Sequence, residues 1–316
     1  MNIFIRSAIS AVLVAVAGGA IAQPQFARLV VPYPAGGVTD QAARLVAERM
    51  GHELGKTVIV DNRPGAAGRI AINFVAAAPA DGNTLLFTNS SYSILPITDP
   101  KVHFDPQKTL APVSLSAKYG LQIVTGATVP ANTLPEFIAY AKKNPGKLSY
   151  GSSGVGSGAH FAGEYFKSLT GTFILHIPYK STAGALSDVA GGILDLTFDA
   201  SAKPLVDAGR VKLLAVTSAK RDPRFPNTPT AQEAGVKGFV QESWVGVLAP
   251  AATPPELLNR LNKAAAAAVA DPGVRQRMAD MGLQPEGGPA ARLADLIRSE
   301  AVLYRKIASD AKLQFE

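Results

Sequence analysis

The sequence predicts an α/β protein of two doubly wound domains, joined by a hinge that the chain crosses twice. Three observations carry this reading. Short apolar runs alternate with helix-period stretches in two separate series. Each series holds a glycine-rich corner between a strand and a helix, "VPYPAGGVTD" at 31–40 and "YGSSGVGSGAH" at 150–160. Extended segments near 121–126 and 244–250 flank the second series, and the chain after them is helical in period with no clear strand.

The first series opens on an apolar strand at 29–31. A helix over 40–50 follows, with Ala42, Leu45, Val46 and Met50 on one face. A strand at 58–60, the turn "NRPGAAG", a helix over 69–78, the turn "ADGN" and a strand at 84–88 complete it. This βαβαβ order predicts a mainly parallel sheet with helices on both faces.

A strand at 121–124 leads to the second series. Its first helix, 133–144, opens on Thr133-Leu134-Pro135-Glu136, a capping box with proline in the first turn. A strand at 148–150, a helix at 157–169, a strand at 173–177, a helix at 182–190 and strands at 194–198 and 213–217 follow. The segment "SWVGVLAP", 243–250, is extended and apolar, and helices over 255–270, 272–281 and 290–311 end the chain. Without strands these helices are expected to pack back on the first domain. The expected division is 23–124 plus 248–316 for one domain and 125–247 for the other.

Residues 1–22 read as a cleaved signal peptide. Arg6 is their only charge, an apolar run spans 8–17, and Ala20-Ile21-Ala22 fits the small-x-small cleavage rule. The run falls short of the roughly 20 residues that a membrane-spanning helix needs. The cut is expected after Ala22, which places the mature chain in a periplasm. The absence of cysteine excludes a lipid-modified cysteine there, and it fits a periplasm better than a disulfide-stapled secreted scaffold. Losing Arg6 takes the formal charge from +7 to +6. The basic residues are scattered, with no stripe for nucleic acid.

Both corners suit an anion, because a helix N-terminus presents unpaired N–H groups. The first, with Tyr33, Ala35, Gly36, Gly37, Thr39 and Asp40, is neither a phosphate-binding Walker loop nor a dinucleotide fingerprint. A tight turn with no ligand is the other reading of it. The second corner supplies Ser152, Ser153, Gly154, Gly156 and Ser157, with His160 one turn into the helix. A serine-rich helix cap is its alternative reading. Strand ends add Thr88, Asn89 and Ser90 from one domain and Asp199 from the other. Ligands of open α/β sheets bind beyond the carboxyl ends of strands, so facing sheets would direct all of these into one cleft. Asp199 is placed to accept from a ligand amine or hydroxyl, or to cap the helix after it. No nucleophile elbow surrounds Ser153 or Ser157, and the four histidines lack metal-ligand spacing. No cofactor or metal is expected.

Taken together, the segments "VPYPAGGVTDQAAR", "VIVDNRPGAAGRIA", "ADGNTLLFTN", "YGSSGVGSGAHFAGEYF", "HIPYKSTAGALSDVAGGILDLTFD", "RVKLLAVTS", "NTPTAQEAG" and "WVGVLAPAATP" resemble the periplasmic Bug-type solute receptors of tripartite tricarboxylate transporters. They cover nearly all of the mature chain, in the family's order. The resemblance implies a type II periplasmic-binding-protein fold, no catalysis, and a small carboxylate ligand: an amino acid, a di- or tricarboxylate, or an aromatic acid. It places the first ligand loop at 33–40 and the second at 152–157, with Thr88 to Ser90 and Asp199 lining the rest of the cleft. The chain departs from the family pattern at Ala35, Val38 and Ala200. The expected role is that of a monomeric receptor handing its ligand to membrane transporter subunits. The alternatives are a sensor docking on a kinase, and a secreted hydrolase using Ser153 or Ser157.

Overall fold

The structure, a computed structural model, describes residues 26–315, so the expected signal peptide lies outside the described residues. Strand β1 (Phe26–Val31) shows why its sequence is apolar without alternation. Leu29 and Val31 enter the core on one face of the sheet, and Val30 enters the core on the other. Helix α1 (Val38–Leu54), strand β2 (Thr57–Asn62), helix α2 (Arg69–Ala76) and strand β3 (Thr84–Asn89) follow in the expected order. Two further elements were not expected. Helix α3 (Ser91–Thr98) contains Pro96, which reads as a breaker. Strand β4 (Leu110–Gly120) buries Ser114 and Ser116 rather than an apolar run.

Strand β5 (Gln122–Gly126) opens the second unit, followed by α4 (Leu134–Lys143), β6 (Ser149–Ser152), α5 (Gly158–Thr170), β7 (Leu175–Pro178), α6 (Thr182–Ala190), β8 (Leu196–Asp199), α7 (Lys203–Asp207) and β9 (Val211–Val216). Thr133 caps α4 by accepting from the Glu136 N–H at 3.3 Å. The chain ends with β10 (Glu242–Pro250), α8 (Pro255–Ala270), α9 (Pro272–Asp280), the strand β11 (Gln284–Pro285) and α10 (Ala291–Asp310). β11 departs from the expectation of no strand after 250: it pairs antiparallel with β4, and two residues are too few to show a strand pattern.

The strands form two sheets, ordered β11-β4-β10-β3-β1-β2 and β7-β6-β8-β5-β9. Each sheet, with the helices on its faces, is one lobe. Both sheets are mixed rather than mainly parallel. β1 runs parallel to β2 and β3, and β6 to β7 and β8, whereas β10 and β5 are antiparallel to both of their neighbours. The strands that link the lobes account for this in the first sheet: β4 carries the chain out, β10 brings it back, and two neighbours with opposite errands run opposite ways.

Both crossings fall earlier in the chain than the expected boundaries. Residues 122–124 pair in the second sheet, and 242–247 pair in the first. Thr217, fully buried, ties the crossings together. Its N–H donates to the Leu121 carbonyl at 2.9 Å, its hydroxyl donates to the Gln241 carbonyl at 2.5 Å, and its own carbonyl accepts from the Gln241 N–H at 2.9 Å.

The closing helices pack on the first lobe, but α10 does more. Leu293 and Ile297 join the first lobe's core beside Trp244 and Leu248. Further along, Tyr304 and Ile307 cluster with Ile94 of α3 and Phe161 of α5, so the helix bridges both lobes. The Phe161 and Tyr304 rings meet edge-on with centroids 5.0 Å apart.

Candidate functional site

The first glycine corner is built around Asp40. The helix begins at Val38 with Gly37 at its cap, so Asp40 lies inside the first turn rather than at the cap. Its carboxylate reaches back to accept from the Gly36 N–H at 2.8 Å. Arg44 donates to both oxygens at 3.0 Å, and the Asn62 amide donates to one at 2.9 Å. Burial alone would raise the pKa of Asp40, but the bonds from Arg44, Gly36 and Asn62 outweigh it and hold the carboxyl below its ordinary value. Gly36 adopts φ +91°, which favours glycine there. Ala35, Gly36 and Gly37 form an exposed rim, while the N–H groups from Gly37 to Asp40 have no acceptor within the helix.

Asn89 joins this corner to the third strand. The Tyr33 hydroxyl donates to Asn89 Oδ1 at 2.6 Å, and Asn89 Nδ2 donates to Thr39 Oγ1 at 3.4 Å. Thr88 is buried below it. Ser90 donates to Glu300 Oε1 at 2.8 Å, and Trp244 Nε1 donates to Glu300 Oε2 at 2.7 Å. Burial pushes the Glu300 carboxyl up to about 7.

The second corner is held by two histidines. Gly154 (φ +108°) and Gly156 (φ +78°) let the loop fold back on itself. The Gly156 N–H donates to His160 Nδ1 at 3.0 Å, and Ser157 Oγ caps α5 by accepting from the His160 N–H at 3.2 Å. His176 Nε2 lies 2.7 Å from Ser152 Oγ, and that hydroxyl also accepts from the Gly154 N–H at 3.1 Å. The two imidazoles stack with centroids 4.1 Å apart. Burial, then the neighbouring His160, brings His176 down to about 4, and burial lowers His160. His176 is a supporting residue that the sequence reading missed, because it lies on a different strand from the loop it holds.

Between the lobes lies a cavity of about 320 Å³. Of the expected site residues, Tyr33, Asn89, Ser90, Ser153 and Asp199 line it. The others build or flank the two corners. The lining adds Tyr119, Thr182, Gln241, Glu242 and Tyr304, which come from a crossing, a helix start and the C-terminal helix. A larger groove of about 840 Å³ runs along α1 and edge strand β2, but no residue of the second lobe lines it.

Four helix N-termini converge on the cavity and its annex. Ser91, Gly158 and Thr182, the first residues of α3, α5 and α6, line the cavity, and Val38, the first of α1, lines a smaller adjoining space with Asp199. Among the described residues, no lysine or arginine lines either space. The groups there that favour an anion are the helix ends with their N–H donors. Hydrolysis finds little support here. The hydroxyls of Ser153 and Ser157 bond to no imidazole among the described residues, and Ser152, which does, is wholly buried. The described residues also hold no cluster of three metal-ligating side chains, and no helix long and apolar enough to cross a membrane.

A model of the tripartite tricarboxylate transporter family receptor matches residues 42–313. A protein encoded in the tcbD–tcbE intergenic region of Pseudomonas sp. (strain P51) is 35% identical over 287 residues, covering 90% of this chain and 85% of its own. The adipate-bound structure of R. palustris Rpa4515 superposes with a TM-score of 0.81 at 35% identity, over 93% of this chain and 99% of that one. The periplasmic binding protein BugD does so with a TM-score of 0.78 at 33% identity, over 92% and 99%.

Proposed function

The chain belongs to the tripartite tricarboxylate transporter receptor family, and on that footing we propose that it captures a small carboxylate between its lobes for a membrane transporter of that type. The observation that carries the reading is the convergence of helix N-termini on a cavity without a basic side chain. Such a site favours a small anion through fixed dipoles and backbone donors. The adipate bound by the related receptor supports a carboxylate as that anion. In this reading the exposed rim at Ala35 to Gly37 and the loop from Ser152 to Ser157 contact the ligand. Asp40, His160 and His176 hold those loops in shape. The receptor is exported with its leader cut after Ala22, works in the periplasm, and releases its ligand unchanged.

A thermal-shift panel of mono-, di- and tricarboxylates on the mature chain, followed by calorimetry, tests this. A true ligand at a hundredfold excess over Kd stabilises the fold by about 2.7 kcal/mol. Its methyl ester or amide is expected to bind more weakly, and mass spectrometry should recover the ligand intact. A panel without any stabilising carboxylate, or equal affinity for acid and ester, would overturn the proposal.

A further inference from the structure

We infer that the ligand of this cleft carries a protonated amine in addition to its carboxylate. The inference rests on the carboxylate-binding reading above and narrows it to one class. Asp199 ends β8 and lines the cavity, yet it is only 1% exposed. Its Oδ1 accepts from the Ser201 N–H at 2.5 Å and from the Ser201 hydroxyl at 2.7 Å. Its Oδ2 is buried without a hydrogen-bond partner among the described residues. The helix-capping role open to it in the sequence is not the one it takes: α7 has Ala202 at its cap, without a side-chain bond.

A buried carboxylate oxygen without a donor is unfavourable, and a ligand donor removes that cost. A second unpaired acceptor stands in the same wall. Gln241 Nε2 donates to the Gly158 carbonyl at 2.9 Å, which leaves its Oε1 buried without a partner. Charge decides which donor fits. The other carboxylate of the lining, Glu242, has Lys118 at 3.7 Å. No basic residue of the lining faces Asp199. A hydroxyl would satisfy the hydrogen bond but leave the charge uncompensated. A second ligand carboxylate would add like charge. An ammonium group supplies both donors and opposite charge. The helix N-termini then take the ligand's carboxylate, and Asp199 takes its amine.

Calorimetry at pH 7 on the mature chain tests this with acids that differ only by the amine: succinate against aspartate, glutarate against glutamate, and hexanoate against 6-aminohexanoate. The expected result is at least tenfold tighter binding of the amine-bearing member in one or more pairs. Asp199→Asn should reduce that margin to threefold or less. The wild-type pairs decide the question even where the variant does not fold. Amine-free acids that bind as tightly as their partners, or adipate binding where none of the amine-bearing acids does, would overturn the inference and leave the carboxylate reading standing. Failure of every carboxylate would overturn both.

Discussion

At the scale of single residues, the side chains that shape the site mostly act behind it. Asp40 is the clearest case. Its carboxylate is buried and spends its hydrogen bonds on Gly36, Arg44 and Asn62. Asp40→Ala should therefore cost about 1–3 kcal/mol, since it strips charge-assisted bonds from a buried position. Arg44→Ala removes a half-exposed partner and should cost ~1 kcal/mol or less. Chemical denaturation of the two variants checks the ranking. Glu300 gives a pH prediction. Its folded pKa of about 7 lies above the model-peptide value of 4.5, so its contribution to stability is fully present below that lower value and is lost as pH rises through about 7. Glu300→Gln keeps a polar group beneath Ser90 and should flatten this fall, so that its melting temperature exceeds that of the wild type at pH 8. A variant that tracks the wild type at every pH would show that Glu300 does not titrate in this window. The two glycine corners were legible in the sequence because turn chemistry is local. Glu300 was not, because its partner Ser90 lies 210 positions away.

At the scale of elements, legibility followed the hydrophobic pattern. Helices α1, α4, α5 and α8 declare themselves by period, and strands β1 and β3 by short apolar runs. β4 hides because Ser114 and Ser116, both fully buried, occupy places where an apolar run would have given it away. α3 hides behind Pro96. The second role of α10 was invisible for a different reason. An apolar stripe shows that a helix is covered, but not that two lobes share the covering. Phe161, fully buried between α5, α3 and α10, is where that sharing can be tested. Phe161→Ala should cost about 3–5 kcal/mol as a large-to-small core change. Calorimetry should also show the single melting transition broadening or splitting, as the lobes lose a shared contact. A sharp single transition at the wild-type temperature would rule this out.

At the scale of the whole molecule, the lobes already touch across the cleft. A methyl group on Gly156 of the second lobe would stand 2.8 Å from Thr98 Cβ of the first, and one on Gly282 would meet the guanidinium of Arg224 from the opposite lobe. Gly156→Val should accordingly hold the lobes apart and weaken every ligand by tenfold or more. Small-angle scattering should find a larger radius of gyration in the variant with ligand than in the wild type with ligand. Equal radii and equal affinities would show that this contact does not govern closure. The twice-crossed hinge has a consequence for how the chain is made. In the first sheet β10 lies between β4 and β3, so an interior strand of the N-terminal lobe is among the last to be synthesised. Once made, β3 and β4 have no partner between them until residues 242–250 follow. The strands of the second lobe span 122–216, and its core is complete once Ala231, Val236 and Phe239 have followed, ahead of β10. The lobe that begins first therefore closes last. A nascent chain in that state lacks a finished N-terminal lobe for most of its synthesis.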